Sequence, residues 1–384
     1  MPRSSISEKP YNITTCSKNP AQTMQNFCYT ALLVSAPLAL VVLVLKLFLL
    51  PRRRKDCLKE GHEKELLSHV VVTGGSSGIG LAIAKDLVKR KCEVVTILAR
   101  DINKLSNAKR HLELQAQTLG SSTKIMTFSV DVSNFDAISK CAEKVCDENP
   151  SPSLLFNVAG TSSSNSFVDV APSEFERLMS INYLGSVYTT KAFLPYMIGG
   201  FSKEVKRQPS RTIVFTSSAA GQVGVYGYTA YSPTKFALRG FAEALQMEVS
   251  RENVSVQIAY PPDTDTPGYK LEQIEKPPET HLISEAAGLF QPDDVAKSMV
   301  NAALKRCPQF SVYFGIEGWM LATLTAGMSP VFGILDALYQ ICFMSLLRFV
   351  SLFYLANFQR IIENAGKNKS INNDEKNYGS VKNS

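Results

Sequence analysis

Histidine and tryptophan are scarce in this chain: 384 residues contain four His and one Trp. The eight cysteines, Cys16, Cys28, Cys57, Cys92, Cys141, Cys146, Cys307 and Cys342, are scattered, and no two stand at C-x-x-C spacing. Few imidazoles and unpaired thiols argue against a zinc site or a disulfide framework, so no metal is expected and the cysteines read as reduced. No internal repeat recurs at a fixed period, which removes solenoids and propellers. Positive charge is weak and local. The formal net charge is +7, and four of the positives form one run, Arg52 to Lys55. That is not the basic stripe of a nucleic-acid binder, so no nucleic-acid partner is expected. Disorder as a whole is excluded by an apolar fraction of 45%.

What is present is apolar sequence in long runs at both ends. Residues 29–50 carry one charge, Lys46, near the end where it can snorkel. At about 1.5 Å per residue the run is as long as a bilayer core is thick, and it reads as a transmembrane helix. Pro51 and the basic run follow, which places that side in the cytosol and residues 1–28 in the lumen. Asn12-Ile13-Thr14 fits a glycosylation acceptor usable only in that topology. A cleaved signal peptide is disfavoured because the run is long, starts late and ends in positive charge. A second apolar region, 318–358, is interrupted by Asp336 and holds Arg348, which would cost about 2.5–3.5 kcal/mol at mid-bilayer. It reads as a hydrophobic membrane hairpin or a pair of interfacial helices. Residues 367–384 are polar and read as a disordered tail.

Between these ends the pattern changes to short apolar runs separated by helical ones. Strands are expected over 70–73, 93–99, 124–130, 154–157, 211–217 and 255–260, with helices over 80–91 and 102–117. Regular alternation with strands apolar on both faces argues for an α/β fold, a Rossmann-type doubly wound parallel sheet over about 66–310.

The first strand runs into Thr73-Gly74-Gly75-Ser76-Ser77-Gly78-Ile79-Gly80. Glycines at 74, 78 and 80 permit a tight turn, close approach of backbone to a pyrophosphate, and close packing of helix on strand. The helix N-terminus that follows favours an anion. Ser76, Ser77 and Ile79 complete the expected dinucleotide loop. At the end of the second strand stands Arg100, where an NAD enzyme usually has an acid for the ribose 2′-hydroxyl. Arginine there suits a 2′-phosphate, with Lys104 one turn on adding charge, so the expected cofactor is NADPH.

Tyr231 and Lys235 stand four residues apart, on one face of a helix. A nearby ammonium favours phenolate, and a shift of about 3 units corresponds to about 4 kcal/mol. Such tuning would let Tyr231 act as general acid on a carbonyl oxygen as hydride arrives at carbon. Ser218, thirteen residues upstream at a strand end, can bond that oxygen. Its neighbour Ser217 is the alternative for that role.

These motifs resemble the short-chain dehydrogenase/reductase family over about 66–300. The resemblance rests on the Thr73–Gly80 loop, Asp131-Val132, Asn157-Val158-Ala159-Gly160, Asn182, Ser218, and Tyr231 with Lys235. It implies that Asp131 lies by the adenine, that Asn157 stabilises the sheet, and that Asn182 holds a water in a proton relay. It implies further that Lys235 and Thr266 contribute to cofactor binding and that two copies pair through the helices around Asn182 and Tyr231. Val158 replaces the usual second Asn, and Pro233 stands where Ala is common, early in a helix where proline is tolerated. Stretches 175–186, 239–249, 260–268 and 280–285 are similar to the 3-ketodihydrosphingosine reductase branch, although Pro261-Pro262 stands where most of the family has Pro-Gly.

The activity this resemblance implies is NADPH-dependent reduction of 3-ketodihydrosphingosine to dihydrosphingosine in ceramide synthesis. The substrate would be a long-chain sphingoid ketone in the bilayer, met at the endoplasmic reticulum membrane by a catalytic domain facing the cytosol. Two alternatives stay open. One is a reductase of another lipid carbonyl, such as a steroid or retinal. The other is a membrane-tethered NADPH-binding scaffold without turnover, which the complete Ser-Tyr-Lys set argues against.

Overall fold

The computed structural model describes residues 62–199, 210–285, 288–305, 309–331 and 333–381, all within one unit, Arg54–Ser384. Side chains are described to residue 365, Ile334 excepted. The expected lumenal segment 1–28, the helix 29–50, Asn12 and the run Arg52 to Lys55 lie outside the described residues.

In chain order the elements are α1 His62–Leu66, β1 His69–Thr73, α2 Gly78–Lys89, β2 Val94–Ala99, α3 Ile102–Thr118, β3 Lys124–Ser129, α4 Phe135–Asp147 and β4 Leu154–Asn157. After α5 Pro172–Leu178 and a wide π-turn, Met179–Leu184, come α6 Gly185–Met197, β5 Arg211–Thr216, α7 Ser232–Glu248 and β6 Val254–Ala259. The chain continues with α8 Pro267–Glu272, α9 Pro278–Glu285, α10 Pro292–Leu304, β7 Ser311–Val312, α11 Gly315–Leu324 and α12 Ile334–Val381.

All seven strands pair in parallel, in the order β3-β2-β1-β4-β5-β6-β7. The order reverses between β1 and β4, and the crevice beyond their C-terminal ends is where an open sheet binds its ligand. Strand residues alternate between two cores. Val70 and Val72 pack with α2, α3 and α10, whereas Val71 faces α4, α6 and α7. With helices on both faces the strands read as unbroken apolar runs rather than alternating ones. The sheet is as expected, with a short seventh strand added at 311–312.

The C-terminal region, expected as a membrane hairpin or a pair of interfacial helices, forms two helices. Its arms are unequal: α11 has 10 residues, and a break at 325–333 separates it from the 48-residue α12. At about 1.5 Å per residue α11 is half a bilayer long, while Leu335–Ala365 is long and apolar enough to cross one. The tail expected to be disordered continues this helix to Val381, with 382–384 outside the described residues. Residues 367–381 contain no proline, and their one glycine, Gly379, lies in the last turn, so little in the local sequence interrupts the helix begun upstream.

Cys92 and Cys141 are buried free thiols, raised to about 12 and about 11 chiefly by burial. They serve as small core side chains.

His69, at the head of β1, is fully buried. Its Nδ1 lies 2.5 Å from the Pro150 carbonyl, which can only accept, and its Nε2 lies 2.9 Å from Thr96 Oγ1. Nδ1 therefore carries a proton. Burial pushes its pKa from 6.5 down to about 4, opposed in part by the bond to Pro150. The unfolded chain takes up this proton near pH 6.5 and the folded chain only near 4. Stability should fall as pH drops through that window, by up to about 3 kcal/mol. Urea unfolding at pH 7 and pH 4.5 tests this: His69→Gln should shrink the difference, and an identical difference in both proteins would remove His69 as its source.

Candidate active site

The first wall of the site is the turn between β1 and α2. Gly74 has φ +67°, a conformation most side chains avoid. At Gly80 an added Cβ would lie 2.3 Å from the Gly74 carbonyl oxygen. That absence of side chain lets α2 sit against the turn and present its open N-terminus to the crevice. Thr73 Oγ1 accepts from the N–H groups of Val158 (2.9 Å) and Ala159 (3.0 Å), which ties the ends of β1 and β4 together. The bonds come from the backbone, so valine at 158 costs nothing here.

Ser76, Ser77, Gly78, Ile79 and Gly80 line a cavity of about 850 Å³ at the C-terminal ends of the strands. Arg100, Lys104, Asp131 and Val132 line its far end. Arg100 is exposed, 3.9 Å from Asp131, and Lys104 is exposed, 3.9 Å from Asp101. Exposed pairs at such distances hold little energy, so both cations are available to a ligand. Asp131 accepts from the Ser133 amide (2.9 Å) and hydroxyl (2.7 Å). Asn157 is behind the site: its Nδ2 donates to Thr190 Oγ1 on α6 at 3.2 Å. Thr266 caps α8 by accepting from the Tyr269 N–H at 3.1 Å, and its methyl faces Gly78. A glycine-rich cradle, an open helix end and two exposed cations fit a dinucleotide.

The candidate catalytic groups line the same cavity. Tyr231 is the residue just before α7, with Pro233 in the first turn where its missing N–H has no partner to lose. Lys235 follows one turn on, buried, and its Nζ donates to the Thr216 carbonyl at 2.9 Å. The ammonium lies 5.6 Å from the centre of the Tyr231 ring. Burial lowers the Lys235 pKa to about 8. The expected lowering of the tyrosine is not seen among these groups. Burial and the carboxylates Glu272 and Asp263 raise the Tyr231 pKa, and only the hydrogen bond with Ser218 opposes them. Tyr231 is thus held as a neutral phenol, the form that has a proton to give.

The two serines separate cleanly. Ser217 is buried and its Oγ donates to the Lys235 carbonyl at 2.9 Å. Ser218 caps a short turn, Ala219–Gly221, accepting from the Ala220 N–H at 3.2 Å, and shares its hydroxyl with Tyr231. Only Ser218 therefore has a hydroxyl next to the phenol. Asn182 lies in the π-turn and is fully buried. Its Oδ1 accepts from the Thr161 N–H (2.8 Å), and its Nδ2 donates to the Thr161 carbonyl (2.9 Å) and Thr234 Oγ1 (3.1 Å). An extra residue in the turn, a π-bulge, is what brings this side chain to the first turn of α7.

The profile of the short chain dehydrogenase family matches residues 68–275. The 3-dehydrosphinganine reductase of Danio rerio is 46% identical over 296 residues, 77% of this chain and 85% of the relative. The 3-ketodihydrosphingosine reductase of Bos taurus is 45% identical over the same shares. An alcohol dehydrogenase from the archaeon Thermococcus sibiricus, solved with 5-hydroxy-NADP, superposes with a TM-score of 0.51 at 23% identity, covering 61% of this chain and 89% of that one. The chain belongs to the short-chain dehydrogenases. Like them it is an oxidoreductase built to use a nicotinamide cofactor.

Sequence reading of this dehydrogenase missed two parts of its site. One is a buried ionic cluster. Lys276 Nζ lies 3.2 Å from Asp263 and 3.5 Å from Glu272, over the rings of Tyr228 and Tyr269, and Tyr228 donates to Glu272. The i,i+4 spacing of Glu272 and Lys276 was the available signal. The other is the outer wall of the cavity, supplied by Met320, Leu321 and Leu324 of α11 and by Leu347, Tyr354 and Phe358 of α12. Arg348 lines this wall as well and donates to Ser351 Oγ at 3.3 Å, so the charge has a polar cavity edge rather than hydrocarbon alone.

The serine assignment predicts opposite outcomes for two variants. Ser218→Ala should lower kcat by about 100-fold or more with little change in melting temperature. Ser217→Ala should lower the melting temperature, since the buried bond that ties the strand end to α7 is lost at a cost of about 0.5–1.5 kcal/mol. A larger kcat loss in Ser217→Ala at full stability would reverse the roles.

Proposed function

We propose that this dehydrogenase reduces the ketone of 3-ketodihydrosphingosine to the alcohol with NADPH, at the cytosolic face of the endoplasmic reticulum membrane. One observation carries the reading: the cavity holding Tyr231, Ser218 and Lys235 is closed on its outer side by the same helix that is apolar enough to enter a bilayer. The opposite face of that helix leaves Leu335, Ile341, Leu346, Phe349, Leu352 and Phe353 exposed, more apolar surface than a soluble monomer normally leaves bare. A long-chain ketone can then reach the site along an apolar wall, without its tail crossing water. The names of the relatives point to the same substrate.

In this reading the nicotinamide, when bound, supplies the hydride. The Gly74–Gly80 turn and the start of α2 hold the pyrophosphate, and Arg100 with Lys104 meets the 2′-phosphate that distinguishes NADPH. Ser218 donates to the substrate carbonyl and orients it. Tyr231 gives its proton to that oxygen as charge develops there. Lys235 stabilises the phenolate left behind, and Asn182 supports the path by which the proton returns. Pairing of two copies through α6 and α7 belongs to the same proposal.

The test is an assay on membranes containing the protein, with NADPH or NADH and with 3-ketodihydrosphingosine or a steroid ketone. The sphingoid ketone should turn over with NADPH, and Tyr231→Phe should lose about 10²-fold or more. Equal turnover by Tyr231→Phe would remove the acid role, and turnover of the steroid alone would remove the substrate. Separately, Arg100→Asp should cut the NADPH to NADH preference by about tenfold or more, the loss of one charge-assisted contact. An unchanged ratio would take Arg100 out of the phosphate site.

A further inference from the structure

The cluster beside Tyr231 helps to hold the phenol neutral but takes no proton in the steps above, and its composition is unusual for a lipid site. Two carboxylates, Asp263 and Glu272, face a single ammonium, Lys276, which is fully buried. The cluster therefore keeps one negative charge in excess at the edge of a largely apolar cavity. Asp263 and Glu272 both line that cavity, while the side chain of Lys276 lies behind them. The neighbouring cation Lys270 is occupied by Asp265 at 3.2 Å.

A second observation comes from the lining of the same cavity. Gln222, four residues after Ser218, lines the cavity and is 6% exposed. Its amide Oε1 is buried and has no hydrogen-bond partner among the described residues. A buried acceptor without a donor costs about 1–3 kcal/mol unless a ligand supplies one. Beside its donors the cavity thus offers two acceptors, the free lone pairs of Glu272 and Gln222 Oε1. The tyrosine that donates to Glu272, Tyr228, has its ring 5.4 Å from that of Tyr231, so Glu272 lies one ring away from the proposed proton donor.

We infer that Glu272 and Gln222 form a subsite for a protonated amine on the carbon next to the reacting carbonyl. The substrate class is then an α-amino ketone with an apolar tail, not a lipid ketone in general. An ammonium brings three N–H donors and one positive charge, which is what the acceptors and the excess carboxylate lack. This rests on the sphingoid reading above, because that ketone carries such an amine, and it adds the residues that select for it.

The experiment compares kcat/KM for 3-ketodihydrosphingosine and for its desamino analogue, the same hydroxyketone lacking only the amine. Using membranes containing the full chain, the wild type should favour the amino ketone. In Glu272→Gln and in Gln222→Leu the ratio of the two should fall by about tenfold or more. Any general disturbance of Tyr231 by the Glu272 change acts on both ketones and cancels in the ratio. A ratio unchanged in both variants, or a wild type indifferent to the amine, overturns the subsite while leaving the sphingoid reading intact. Failure of the wild type on both ketones sinks that reading and the subsite with it.

Discussion

A lysine ammonium buried at the C-terminal edge of the sheet is the constraint from which the site follows. Taking such a charge out of water is costly unless it is met by acceptors. Here the Thr216 carbonyl at the end of β5 meets Nζ, and Ser217 from the next position meets the lysine's own carbonyl. Lys235 is therefore fixed at both ends to one strand terminus. That pins the first turn of α7, and with it Tyr231 one turn earlier and Ser218 beside it. The π-turn that carries Asn182 packs on the same turn through Thr234. Loss of this one anchoring would leave four functional groups without a common frame.

The electrostatics set around that frame are those of an acid rather than a nucleophile. Lysine lies 5.6 Å from the phenol ring, yet burial and two carboxylates dominate and keep the phenol neutral. A reductase needs a proton ready to leave at the moment negative charge reaches the carbonyl oxygen, and a phenol held protonated until then meets that need. The carboxylates that perform this tuning also shape what lies next to the carbonyl, so protonation and substrate choice are governed by the same few side chains.

Much of this was legible in the residues themselves. The turn at Gly74–Gly80, the strand-helix alternation and the Tyr231–Lys235 spacing are local, and local sequence encodes them directly. The direction in which Tyr231 is tuned was not legible, because Glu272 and Asp263 lie 41 and 32 residues further on and reach the phenol only through the fold. Gln222 was invisible for the same reason: an orphaned amide is a property of its surroundings. The residues of the outer wall were not legible because hydropathy reports that a segment is apolar but not what it covers; Met320, Leu347 and Phe358 close the cavity. Ser217 and Ser218 are equivalent in sequence and differ only in which way the strand end turns them.

One stripe on α7 has a mechanical meaning. Tyr231, Lys235, Arg239 and Glu243 recur at every fourth residue and so share a side of the helix. Arg239 donates to the Ala326 carbonyl (2.7 Å) and Ser329 Oγ (2.9 Å), and Ser329 donates in turn to Glu243 at 2.5 Å. The break between α11 and α12 is thereby bolted to the helix whose other end carries the acid. Eight residues of helix, about 12 Å, separate bolt and acid. In the proposed membrane-bound state this fixed length of protein would set the height of the phenol above the hydrocarbon, a depth gauge reaching only carbonyls held at one level near the lipid surface.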